Sequence, residues 1–112
     1  FSTCRLRGLI LPDSLETIGT GAFGYNRFEE IVIPDNVKTI EDGGFEYCSK
    51  LKTITLPASL HSIGFSAFAS TVLETVYYKG TQAQWVQIKI DDYNDKLTDA
   101  KIICSDGIIN GE

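Results

Sequence analysis

Residues 28–40 read Phe-Glu-Glu-Ile-Val-Ile-Pro-Asp-Asn-Val-Lys-Thr-Ile, and residues 51–63 read Leu-Lys-Thr-Ile-Thr-Leu-Pro-Ala-Ser-Leu-His-Ser-Ile. Laid over one another, the two stretches carry apolar residues and proline at the same places. Residues 6–18, Leu-Arg-Gly-Leu-Ile-Leu-Pro-Asp-Ser-Leu-Glu-Thr-Ile, repeat the outline a third time. The prolines Pro12, Pro34 and Pro57 lie 22 and 23 residues apart. Self-similarity at a fixed short period marks a stacked array, in which no single unit can bury its own apolar face and neighbours must cover one another.

Counted from Leu6, Phe28 and Leu51, apolar residues recur at +3 (Leu9, Ile31, Ile54), +5 (Leu11, Ile33, Leu56), +9 (Leu15, Val37, Leu60), +12 (Ile18, Ile40, Ile63) and +17 (Phe23, Phe45, Phe68). The +3/+5 alternation has period two, the pattern of a half-buried strand, and proline closes it because it has no ladder donor. The Leu-x-x-Ile piece that follows is too short for a free-standing helix, so a second short extended segment is expected. Gly19, Gly21, Gly43, Gly44 and Gly64 then mark a corner before the phenylalanine. A fourth unit starts at Leu73, with Val76 and Tyr78 in register, and breaks at Lys79, which stands in the proline column. Phe1 falls in the Phe23 column, so the chain is expected to begin inside a coil. The expected fold is a β-rich repeat solenoid with coils of 22–23 residues and little helix.

The units resemble the BspA-like branch of leucine-rich repeats, through Ala22-Phe23, Gly44-Phe45 with Cys48, Ala67-Phe68, and the closing pairs Ile18-Gly19 and Ile63-Gly64. Asn26 and Thr71 depart from that pattern where cysteine is common, and Glu41 replaces glycine. Tyr78-Lys79-Gly80-Thr81, Trp85, Ile88, Asn94, Leu97 and Ala100 are similar to the segment that ends such arrays. The resemblance implies a right-handed superhelix with repeats over 1–79 and a C-terminal cap over 80–112. It also implies a non-catalytic protein-binding or adhesion module of a bacterial surface or secreted protein, with a protein or host-matrix macromolecule as partner. A structural spacer that positions another domain is the alternative.

The cap should cover the apolar cross-section of the last coil. Thr81 with Gln84 three residues on forms a capping-box pattern, which suggests a short helix carrying Trp85 and Ile88. The competing reading takes the alternation of Val86, Ile88 and Ile90 as a strand. Asp106-Gly107, between two apolar runs, suggests a hairpin turn.

Composition narrows the chemistry. The chain has 112 residues, 43% of them hydrophobic, and a net charge of −5. It can bury a core, and it lacks the basic face that nucleic acid requires. No apolar run reaches the roughly 18 residues of a membrane span, so no membrane insertion is expected in this segment. His61, the single histidine, shares a variable column with Glu16 and Lys38 and reads as a solvated residue. Gly64-Phe65-Ser66-Ala67-Phe68 lacks the closing glycine of a nucleophile elbow. A calcium loop begun at Asp91 would need ligands where Tyr93 and Ile102 stand. No catalytic residue, metal site or cofactor is expected. Cys4 and Cys48 share a column two coils apart, roughly 10 Å, too far for a disulfide.

Binding falls instead to the outward +2 and +4 columns. The +4 column reads Ile10, Val32, Thr55, Tyr77, and the +2 column reads Gly8, Glu30, Thr53, Thr75. The candidate partner-binding face is therefore Ile10, Glu30, Val32, Thr53, Thr55, Thr75 and Tyr77. In the +1 column, Arg7, Glu29, Lys52 and Glu74 alternate in sign, which favours the register by about 0.2–1 kcal/mol per pair. An uncovered coil end around Phe1 and Leu6 is a further candidate surface for self-association.

Overall fold

A computed structural model describes residues 11–110, and these form a β-solenoid. Each unit contributes one strand to each of two sheets. The first sheet runs β1 (Thr17–Ile18), β3 (Thr39–Ile40), β5 (Ser62–Ile63) and β7 (Lys89–Ile90), all parallel. The second runs β2 (Glu30–Val32), β4 (Thr53–Leu56), β6 (Thr75–Tyr78) and β8 (Lys101–Cys104), also parallel, and ends on the antiparallel β9 (Gly107–Ile109). The extended segments expected on both sides of the proline are thus present. Those after it are only two residues long, because the next glycines turn the chain away.

Register follows the columns. Ile31 lies beside Ile54 and Ile54 beside Val76, while Ile18, Ile40 and Ile63 line up in the other sheet. The +3 and +5 residues point inward, and Ile33, Ile54, Leu56 and Val76 are fully buried. Each isoleucine or leucine so removed from water contributes about 1.5–3 kcal/mol.

The corner is hydrogen-bonded from coil to coil as well. The Phe23 N–H donates to the Gly44 carbonyl (2.9 Å), Phe45 to Ala67 (2.7 Å), Tyr25 to Glu46 (3.0 Å) and Tyr47 to Ala69 (2.9 Å). To face the neighbouring coil this way the chain enters the left-handed region twice per corner. Gly21 and Gly43 do so at φ 64° and 65°, and Tyr25 and Tyr47 at φ 63° and 61°. Inside the corner Phe23, Phe45 and Phe68 stack at centroid separations of 5.5 and 5.3 Å, with ring planes 15° and 10° apart. These separations exceed the ~4.8 Å strand spacing, so the rings are offset, the favoured arrangement. The extra residue of the 23-residue period sits in the Ser49–Lys50 bend, where both residues are exposed and the ladders on either side stay in register.

Beyond Tyr78, α1 (Gln82–Trp85) opens with the expected capping box. The Gln84 N–H donates to Thr81 Oγ1 (3.1 Å), and the Thr81 N–H donates to Gln84 Oε1 (2.8 Å). Trp85 is buried edge-on against Tyr78, with centroids 5.2 Å apart. The helix stops there, so Ile88 is buried from the turn that follows it and not from the helix. Val86, which the strand reading would turn inward, is 69% exposed, and only Lys89–Ile90 is extended. Each reading therefore holds over a portion of this stretch. After α2 (Asp95–Thr98) the chain returns to the second sheet, and Ser105–Asp106 makes the hairpin turn into β9.

Candidate functional site

The outer face of the five-stranded sheet gathers the predicted residues. Register places Glu30, Thr53 and Thr75 side by side, and Val32, Thr55 and Tyr77 side by side. Val32 is 56% and Tyr77 45% exposed, and Thr55 between them is half-buried. Ile10, with Arg7 and the coil end at Phe1 and Leu6, lies outside the described residues.

Sequence reasoning stopped both columns too early. Thr75 is paired with Lys101, and Tyr77 with Ile103, which in turn faces Ile108 on β9. The apolar column therefore crosses five strands: Val32, Thr55, Tyr77, Ile103, Ile108. The column beside it ends on Lys101. The residues that extend the face carry no trace of the proline-centred repeat, and only the alternating run Lys101–Cys104 could have announced them.

The described +1 residues lie side by side from coil to coil, the Lys52 N–H donating to the Glu29 carbonyl and the Glu74 N–H to the Lys52 carbonyl, both at 2.9 Å. Lys52 and Glu74 are both exposed and form no ion pair with each other. An ion pair among the described residues joins Lys79 to Asp35 at 2.8 Å, two coils apart. It uses the position where lysine replaces proline.

A second set of exposed groups decorates the corner. The Tyr25 and Tyr47 rings stack at 4.9 Å with planes 14° apart, and Phe65 meets Tyr93 edge-on at 4.9 Å. The 22-residue spacing of the two tyrosines was the available signal.

Several other chemistry-bearing residues are used within the fold. Asn26, Cys48 and Thr71 fill one buried column, and each donates to a phenylalanine carbonyl. Asn26 Nδ2 reaches Phe23 O at 2.8 Å, Cys48 Sγ reaches the same oxygen at 3.0 Å, and Thr71 Oγ1 reaches Phe68 O at 2.9 Å. A small donor is what the column requires, which explains why three residue types serve. Burial pushes the Cys48 thiol up to about 11, against a smaller opposing effect of the Asn26 backbone. Desolvation, then the nearby Asp106 carboxylate, raises Cys104 as well. Cys48 and Cys104 are unbridged, and Cys4 lies outside the described residues. His61 is exposed. Asp42 is used internally, accepting the Phe65 N–H at 2.9 Å. Among the described residues no group of three or more His, Cys, Asp or Glu is placed to hold a metal, and no helix is long and apolar enough to cross a membrane.

No curated protein and no solved structure matches the chain. A family model does: the BspA-type leucine-rich repeat region, in six copies over residues 1–88. With matching repeats over most of its length and a solenoid whose columns they dictate, the chain belongs to the BspA-type leucine-rich repeat family.

Proposed function

We propose that the chain is a non-catalytic protein-binding module and that its contact surface is the outer face of the five-stranded sheet. One observation carries the reading: an apolar column, Val32 through Tyr77 to Ile108, runs exposed or half-exposed across five hydrogen-bonded strands. A rigid sheet presents such a column without ordering cost, and an aromatic such as Tyr77 supplies the anchor that binding surfaces favour. Glu30, Thr53, Thr75 and Lys101 border it with polar groups, as a rim does. Residues 80–112 close the array as its cap and complete the face. Family membership supports placement on a cell surface or in the secreted fraction, with adhesion to a host or matrix protein as the role.

The test is capture from matrix, mucus and bacterial-surface extracts on the immobilised chain, beside a Val32→Ser/Tyr77→Ser variant. Both side chains are exposed, so the variant should melt within a few degrees of the parent. A partner identified on the parent and lost on the variant is the expected result. Capture that ignores the double substitution would move binding off the sheet, and no specific capture by a folded chain would favour a spacer.

A further inference from the structure

The same face indicates its occupant, an inference that rests on the binding surface proposed above. From β2 to β8 one column reads Glu30, Thr53, Thr75, Lys101: an acid at one end, a base at the other, and neutral residues between. Neither Glu30 nor Lys101 joins an ion pair among the described residues. The neighbouring column reads Val32, Thr55, Tyr77, Ile103. This arrangement is complementary to itself under one rotation. A two-fold axis parallel to the strands, between β4 and β6, lays a second copy face to face with β2 of each over β8 of the other. Glu30 then meets Lys101 twice, Val32 meets Ile103 twice, and Thr55 meets Tyr77 twice. The alternative axis, across the strands, sets each strand over its own counterpart and presses Glu30 onto Val32, which desolvates a carboxylate with no compensation.

We propose that the chain pairs with a second copy of itself through this sheet face, in the first orientation. Face-to-face sheets pack about 10 Å apart with their strands nearly aligned, as this rotation leaves them. The contact is isologous and closes at two copies. Each chain carries a net charge of −5, so the two Glu30–Lys101 contacts set the orientation against a general repulsion. The face is only about 20 Å wide at ~4.8 Å per strand. That is small beside the ~800 Å² per partner of a standard interface, so the expected Kd is on the order of 100 µM.

Sedimentation equilibrium of the 112-residue chain, taken up to about 1 mM to bracket that affinity, tests the pairing. It should show a monomer–dimer equilibrium. Glu30→Lys and Lys101→Glu should each weaken the dimer about tenfold or more, and the two together should restore it to within about threefold. Melting curves confirm that each variant is folded. A monomer throughout the range, or single variants that dimerise as tightly as the parent, would overturn the pairing. The capture experiment, run at concentrations where the chain is monomeric, separates the two readings: a foreign partner lost on the Val32/Tyr77 variant, with no dimer, keeps the sheet face and removes the second copy.

Discussion

Cys48 donates its thiol to the carbonyl oxygen of Phe23, one coil away, and burial of the sulfur there favours its protonated form. Unfolded, the thiol ionises near 9.0, and folded it holds its proton to about 11. Between those values the unfolded chain binds fewer protons, so stability falls as pH rises through the window and is fully present below it. The loss should be on the order of 2 kcal/mol. Urea melts at about pH 8 and about pH 10.5 should show this loss in the parent and a smaller one in Cys48→Thr, which keeps a donor in the column as Thr71 does. Equal losses in both would remove the thiol as the cause.

Phe45 sits between Phe23 and Phe68 with no exposed surface. Truncation to alanine would leave a gap in the middle of the stack, between rings held at 5.5 and 5.3 Å on either side. Phe45→Ala should cost about 3–5 kcal/mol by chemical denaturation. A loss under about 1 kcal/mol would show that the stack relaxes around the vacancy.

Asn94 fastens the closing segment to the coil before it. It is buried, its Oδ1 accepts the Phe68 N–H at 2.9 Å, and its Nδ2 donates to the Gly64 and Asp91 carbonyls, both at 2.9 Å. Asn94→Leu would strand these backbone groups away from water. At about 1–3 kcal/mol per unsatisfied group, it should destabilise more than any substitution on the sheet face. Amide exchange at Phe68, slow in the parent, should accelerate selectively.

Two glycines make opposite demands. A Cβ on Gly64 would come within 2.5 Å of the Asp42 backbone nitrogen, whereas one on Gly21 meets nothing within 4 Å among the described residues but would sit at φ 64°. Gly64→Ala must therefore push adjacent coils apart and should cost about 1–3 kcal/mol or more. Gly21→Ala should cost only the left-handed penalty of about 1 kcal/mol. Thermal melts of the two variants should rank them in that order.

The proline-centred columns were legible because each demand repeats. Ile31, Ile54 and Val76 meet the same neighbours in successive coils, so one residue type answers every time. The capping box at Thr81 was legible for a local reason, since its two bonds span three residues. Lys101, Ile103 and Ile108 were not legible as members of the face. They belong to a coil whose length and connections differ from the repeats, and only pairing with β6 puts them in the column. Asn94 was hidden for the same reason: its bonds to Gly64 and Phe68 cross 30 and 26 residues without a period to announce them.

The reversal of direction at β9 bears on how such an array can grow. A strand laid parallel offers its successor the same edge it was itself offered, so any internal coil can be copied and inserted, as the tolerated extra residue at Ser49–Lys50 already hints. A strand that runs the other way can accept a further coil, entering in the direction of the earlier ones, only as an antiparallel neighbour, with a different pattern of bonds. Gene duplication can lengthen this molecule from within on the existing parallel ladder, whereas a repeat joined beyond β9 would have to pair in a pattern that no internal coil of this sheet uses.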